Sequence, residues 1–396
     1  MPTALRAQTG RAIELSYKEQ TDYDVPASGA SANRIRFANS SGLLFNKARV
    51  PSRESRNDGK GKRGSHGPGL GEFAVSNDFV LGPAYTDPIK HVMRTATIAA
   101  ATKTQVEVGG TITGVSGATI TFSGGSDATA HFKPGDLFTA ASGLNAADLN
   151  KPLGILTVSA TTIVVHRALT TNGAAATFSF AKAKYNLDGA VDSVMTFEEF
   201  RENLNRHEIG PWGRWGSFAL SHNPGGSMFD IAFNCAYARK TIKGAGTTFT
   251  TPSLATGNGV TSSRGKLFIP GISGGIRLSA VNFGKNLNLF RDDTAEEEAY
   301  EIGVGQPTWT GQFTAAEVNH DLQDAYDAET VLSAFYLIDT PAGAASLWFP
   351  QFVLQQPQKS AIGADNFSTR TFQMDFDVDE RGGVFESTNF KFASTI

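Results

Sequence analysis

Thr371-Phe372-Gln373-Met374-Asp375-Phe376-Asp377-Val378 alternates apolar and polar residues without a break. Side chains along a strand have a period of two. Phe372, Met374, Phe376 and Val378 therefore share one face, and Gln373, Asp375 and Asp377 share the other. The pattern predicts a half-buried strand with an acidic outer face. Ile13-Glu14-Leu15-Ser16-Tyr17 and Asn33-Arg34-Ile35-Arg36-Phe37 alternate in the same way. Residues 215–221 and 228–234 read as two long strands, turned by His222-Asn223-Pro224-Gly225-Gly226. Leu347-Trp348-Phe349 and Phe352-Val353-Leu354 read as one more strand, interrupted at Pro350.

Helix signals are fewer. Asp87-Pro88 predicts an N-cap followed by Pro at the first helical position, with a short helix through Arg94. Thr196-x-x-Glu199 and Thr314-x-x-Glu317 both match a capping box. The first predicts a short helix to about Arg206. The second predicts a helix carrying Val318, Leu322 and Tyr326 on one side.

Composition changes along the chain. Residues 98–182 are rich in Thr, Ala and Gly and nearly free of acids, with short strands at Gly110-Thr111-Ile112-Thr113-Gly114 and Thr162-Ile163-Val164-Val165. Regular short strands between Gly turns predict an inserted all-β module, a small sandwich or barrel. Phe132-Lys133-Pro134-Gly135-Asp136-Leu137-Phe138 is a turn within it. The expected organisation is a first β-domain from 1–97 and 183–262, the insert at 98–182, and a last β-domain at 263–396. Residues 243–264 read as a Gly/Thr/Ser linker.

The whole chain of 396 residues carries a formal charge of −3, so no global basicity marks a nucleic-acid binder. Its one cysteine, Cys235, excludes an internal disulfide or a multi-cysteine zinc site. The start of the chain lacks the apolar run of a signal peptide, and no stretch reaches the ~18 apolar residues of a membrane span. No membrane insertion is expected.

Chemistry-bearing motifs fail their context tests. Gly59-Lys60-Gly61-Lys62-Arg63-Gly64 matches G-x-G-x-x-G but lies in a polar stretch, without the strand and helix a dinucleotide site needs. Gly271-Ile272-Ser273-Gly274-Gly275 matches G-x-S-x-G, but a strand pattern follows where a nucleophile elbow needs a helix. An enzyme using Ser273, with His320 as base, is the weakest of the functional readings. The seven histidines are scattered, so no metal and no cofactor is expected. A loose divalent-ion site in the acidic loop needs only oxygen ligands, but the calcium-loop spacing is missing. Trp212, Trp215, Trp309 and Trp348 read as core or interface aromatics before a carbohydrate platform.

Two loops have opposite charge. Residues 49–63 hold Arg49, Arg53, Arg56, Lys60, Lys62 and Arg63. Residues 284–305 hold Asp292, Asp293, Glu296, Glu297, Glu298 and Glu301. Charge runs usually mark solvated loops. Here they follow similar stretches, Phe45-Asn46-Lys47-Ala48-Arg49 and Phe283-Gly284-Lys285-Asn286-Leu287, each at a strand end. That similarity suggests an internal duplication, with the loops as inter-subunit contacts.

In this order of elements the chain resembles the tail tube proteins of long-tailed, non-contractile phages. The resemblance rests on the opening strands, the polar loop after Phe45, the helix near 87–94, and closing strands such as 371–378. It implies a mainly β fold: two tail-tube β-sandwich domains, each with a flanking helix, plus the inserted small β-domain. It implies a non-enzymatic structural virion protein, assembled in the host cytoplasm and resident in the tail. Copies would form trimeric, pseudo-hexameric rings stacked into the conduit for DNA ejection. The other implied partners are the tape measure, tail terminator and distal tail proteins, with DNA only in transit. Asp375 and Asp377 would then face the lumen, where negative charge repels DNA over a Debye length of about 8 Å. The competing reading is a phage or cell-surface β-protein that binds carbohydrate or host envelope.

Overall fold

The computed structural model describes residues 13–22, 25–50, 65–222, 227–254, 256–272, 276–292, 298–316, 319–360 and 368–396. It is mainly β, with several sheets and four helices. Before the insert come β1 (Ile13–Glu19), β2 (Asn33–Ile35), β3 (Asn39–Ser40), β4 (Leu44–Val50), β5 (Ser65–Asp78) and α1 (Pro83–Met93). The insert holds β6 (Ala101–Thr104), α2 (Gln105–Val108), β7 (Ile112–Ser116), β8 (Thr119–Phe122), α3 (Ala128–His131), β9 (Leu137–Ser142), β10 (Pro152–Val158), β11 (Thr162–Val165) and β12 (Ser179–Lys182). Then follow β13 (Lys184–Leu187), β14 (Met195–Arg201), β15 (Arg206–His222), β16 (Asp230–Tyr237), β17 (Ile242–Ala245) and β18 (Ser253–Leu254). The rest is β19 (Gly265–Phe268), β20 (Leu278–Asn286), β21 (Leu289–Arg291), β22 (Ile302–Val304), β23 (Thr308–Ala316), α4 (Asp321–Asp327), β24 (Leu332–Thr340), β25 (Gly343–Lys359), β26 (Thr369–Asp377) and β27 (Lys391–Ser394).

Strands β6 to β12 form a seven-stranded sheet of their own. Val108, Ile120, Phe132, Phe138, Ile155 and Phe180 fill its core. The chain enters and leaves this unit side by side, with Ile98 and Tyr185 exchanging backbone hydrogen bonds of 2.8 and 3.0 Å. Among the described residues, strands β21 and β22 pair only with each other, and the other eighteen form one paired network. A single hydrophobic cluster runs beneath it from Leu15 through Trp215 and Phe283 to Phe392.

Within that network the order of pairing occurs twice. The first set runs β4·β5, β5·β16 and β16·β15. The second runs β20·β23, β23·β26 and β26·β25. In each set a hairpin is followed by a helix and then a strand pair, β14·β15 or β24·β25. That pair includes the longest strand, 17 residues in both β15 and β25. A short last strand, β17 or β27, pairs with the first half of that long strand. The two sets meet where β15 pairs with β20, from Ser217↔Asn286 to His222↔Val281.

Small residues occupy matching positions. Phe45 lies opposite Gly71, and Phe283 lies opposite Gly311. A Cβ on Gly71 would sit 2.1 Å from the Tyr237 ring, and one on Gly311 2.2 Å from the Phe376 ring. Glycine is required at both by the aromatic packed on the next strand.

Several expectations are corrected. Thr196-x-x-Glu199 opens no helix, because both residues lie in β14. Glu198 and Glu199 are buried and accept backbone N–H donors, including Leu43 N at 2.9 Å from Glu199 Oε2. Burial on both faces hides the strand alternation. The helix expected at 87–94 begins at Pro83, with Pro88 inside it. Pro88 has no N–H for the Ala84 carbonyl, which instead accepts the Tyr17 hydroxyl at 3.3 Å. Thr314 belongs to β23 and faces Thr371 on β26, while Glu317 and Val318 lie outside the described residues. The nearby helix is α4, which packs Leu322 and Tyr326 onto the core. Pro350 does not interrupt its strand. It lies at the register shift between β24 and β25, where a bulge tolerates a residue without a donor. The 243–264 stretch includes strand pairing through β17 and β18.

Candidate functional site

The site is a surface, the face of the doubled sheet turned away from the core. Alternation on β4, β5, β16 and β15 sets Asn46, Glu72, Ser76, Asp78, Asp230, Asn234, Ser217 and Ser221 on it. On β20, β23, β26 and β25 it sets Asn282, Asn286, Thr310, Gln312, Gln373, Asp375, Asp377, Gln351 and Gln355. The opposite positions, such as Phe73, Val75, Phe218, Phe283, Phe313, Phe372 and Met374, are buried. Short polar side chains thus alternate on the outer face with small or apolar ones such as Ala74, Ala219, Ala232 and Val353. The charged groups named are carboxylates, and the face also carries Arg214 on β15, opposite Ala236 and paired with Asp192 at 3.0 Å. Asp78 lies directly opposite Asp230. Asp375 and Asp377 are exposed, and Gln355 Nε2 donates to Asp375 at 2.7 Å.

The two ends of this sheet carry open edges. β4 is paired by β5, and no strand among the described residues pairs its other side. Leu44 and Val50 on it are exposed. β24 pairs β25 only as far as Phe352, so no strand among the described residues pairs one side of residues 353–359, while β26 holds the other. Edge strands of this kind are templates for pairing with another chain.

β4 and β20, the strands that lead into the two charged stretches, run in the same direction and finish at the same end of the sheet. Arg49 is exposed at the end of β4, but Arg53, Arg56, Lys60, Lys62 and Arg63 lie outside the described residues. Asp292, Glu298 and Glu301 flank the hairpin β21–β22, while Asp293, Glu296 and Glu297 lie outside the described residues. Leu289 and Ile302 pack this hairpin on Trp212 and Ala236, so its base roofs part of the outer face. A cleft of about 440 Å³ lies under it, between Leu44, Glu72, Asn234 and Phe290.

The insert is fastened to the second set of strands by buried charge. Asp136, 1% exposed, lies 2.6 Å from both Lys182 and Lys391, and Lys391 also lies 2.6 Å from Glu386. Burial pushes the Asp136 carboxyl up, but the two ammonium groups outweigh it and hold the pKa below the ordinary carboxylate value. Trp348 covers Gly135, whose φ of +82° belongs to the left-handed region. Lys285, buried on β20 and paired with Asp188, has its pKa pulled down by desolvation. Sequence reasoning missed this network, because Asp136, Glu386 and Lys391 are distant in the chain.

Ser273 and Gly59–Gly64 lie outside the described residues, and His320 is exposed at the start of α4. Cys235 is buried in the core, and its thiol pKa is raised by that burial. Among the described residues no three His, Cys, Asp or Glu side chains gather as metal ligands. Trp212, Trp215 and Trp348 are buried, and Trp309 packs on Phe390 and Lys285, so the four tryptophans form no shared platform. No helix among the described residues is long and apolar enough to cross a membrane. No protein-family model matches the chain, and comparison with curated proteins gives no match.

Proposed function

We propose that this chain is a tail-tube subunit of a long-tailed, non-contractile phage, with each set of strands acting as one tube domain. The observation that carries the reading is the internal junction. β15 and β20 already join two like units edge to edge, and the same two edges, β25 and β4, stay open at the ends. A head-to-tail contact that repeats this junction between copies closes into a ring, and closure removes the exposed edges. With two tube domains per chain, three copies make six equivalent steps. The outer face would then line the channel. The exposed carboxylates on it, Glu72, Asp78, Asp230, Asp375 and Asp377, suit a conduit for a polyanion that must not bind. The tape measure, terminator and distal tail proteins would meet the ends of such a tube, and the insert would project from it.

Negative-stain electron microscopy of the purified protein, with light scattering on the same sample, tests this. Hollow rings or tubes with threefold or pseudo-sixfold symmetry are expected. Cysteines at Asn46→Cys and Gln355→Cys, one on each open edge, should form disulfides between copies, with Cys235 buried out of reach. A persistent monomer that forms no such disulfide and binds glycans would replace this reading with a surface-binding one.

A further inference from the structure

We infer that α4 of one copy, with Val331 just beyond it, packs against the unpaired side of β17 in the next copy of the ring. The inference rests on the tube reading and adds to it a second contact at every junction between copies.

The contact has a counterpart inside the chain. The two sets of strands meet through the β15·β20 pairing, and beside it the helix of the first set meets the last strand of the second. Thr86, Asp87 and Lys90 of α1 share a small cavity of about 60 Å³ with Phe392 and Ser394 of β27. The two helices hold like positions. α1 follows the pair β4·β5 and packs on β15, and α4 follows the pair β20·β23 and packs on β25. β17 and β27 are likewise the last strands of their sets, each on the first half of the long strand. Where β25 of one copy takes β4 of the next, the same rotation brings α4 beside β17.

β17 lacks a neighbour that β27 has. β25 holds one side of β27, and β13, which follows the insert, holds the other. β15 holds one side of β17, and no strand among the described residues pairs the other side. Between α1 and β14 the chain places the insert and β13, whereas only residues 328–331 separate α4 from β24. The second set thus has no counterpart of β13, and α4 itself is left to cover the bare edge. Covering an edge with a helix is one of the ways proteins protect it. Charge and apolar surface match across the contact. α4 and the residues after it expose Asp324, Asp327 and Glu329. Lys240 and Lys243, before and on β17, are exposed, and the Lys243 side chain stays 71% exposed with Glu208 3.4 Å away. Val331 is 62% exposed, and Ile242 on β17 is 44% exposed. Opposite charges set the register of such a contact, and like charges brought together suppress it.

Carbodiimide crosslinking tests the contact on assembled wild-type protein made from equal parts of light and heavy-isotope-labelled chain. Lys240 or Lys243 should join Asp324, Asp327 or Glu329 in peptide pairs that mix the two labels, which only a contact between copies gives. Charge exchange is the second arm. Variant A carries Lys240→Glu and Lys243→Glu, and variant B carries Asp324→Lys, Asp327→Lys and Glu329→Lys. In each, the concentration needed for half assembly, read by sedimentation, should rise at least tenfold. Variant C carries all five changes in one chain, which restores opposite charge at every junction, and should assemble within threefold of the wild type. Thermal melts show which variants fold, and the wild-type crosslink decides the matter where one does not. Rings that give no mixed-label crosslink overturn the proposal and leave the tube reading standing. So do A and B proteins that assemble like the wild type, or a folded C that fails to assemble. Wild-type protein that never forms rings overturns the tube reading and this contact together.

Discussion

Gly71 and Gly311 show how little room single residues have in this fold. An added Cβ at either meets an aromatic ring of the next strand at 2.1 or 2.2 Å. Gly71→Ala should therefore cost about 1–3 kcal/mol, the usual range for overpacking. Denaturant midpoints check this, and a loss below ~0.5 kcal/mol would mean that the Tyr237 ring moves aside freely. His166 gives a pH-dependent case. It is stacked on Phe335 and tilted on Phe268, and its Nδ1 accepts Gly154 N–H at 2.9 Å. Burial, reinforced by Arg167, lowers its pKa to about 4. The unfolded imidazole takes up a proton near 6.5, so acid favours the unfolded chain first. The stabilisation from neutral His166 is complete above about 6.5 and is lost as pH falls from there toward 4, by at most about 3 kcal/mol. Melting temperatures of the wild type and His166→Asn should converge across that window. Parallel curves would assign the pH dependence to other groups.

At the scale of elements, the insert has a seven-stranded sheet and core of its own and a charged anchor. Its chain ends lie side by side. Residues 98–183 expressed alone should therefore give a cooperative thermal transition by circular dichroism. A broad, non-cooperative melt would show that the insert needs the body of the protein. Its contact with the body should depend on Asp136. Removing one member of a buried charge network leaves the others uncompensated, at about 3–5 kcal/mol. Asp136→Asn, which leaves Lys182 without a carboxylate and Lys391 with Glu386 alone, should lower the denaturant midpoint of the full chain far more than surface Asp→Asn changes do.

For the molecule as a whole, the proposed tube would give the outer face control over what passes along the channel. Asp375 and Asp377 are exposed on β26, at positions free of packing duties. Asp375→Lys with Asp377→Lys should leave the fold and its assemblies intact. The variant assemblies should retain double-stranded DNA in a salt-dependent way, while the wild type retains none. Equal DNA binding by both, measured by co-sedimentation at two salt concentrations, would remove the conduit role from this face.

Much of this was legible in the residues themselves. The alternation at 371–378, the Gly-punctuated insert and the single cysteine follow from side-chain period, turn chemistry and thiol count, all of which are local. The strand at 371–378 was readable because one of its faces meets the core and the other meets solvent. β14 was not, since Glu198 and Glu199 are buried and their carboxylates satisfy backbone N–H groups from distant segments. The start of α1 was misplaced because the carbonyl that Pro88 leaves open is capped by Tyr17, which is 67 residues away from Ala84. The short likeness between Phe45-Asn46-Lys47 and Phe283-Gly284-Lys285 pointed to a repeat. The repeat itself is visible only as an order of strand pairing. By itself the sequence determined a β-rich chain with a compositionally distinct insert and two oppositely charged stretches. Tertiary structure alone decided which strands are neighbours, which edges stay open and which carboxylates are buried beside lysines, because those outcomes depend on contacts between residues far apart in the chain.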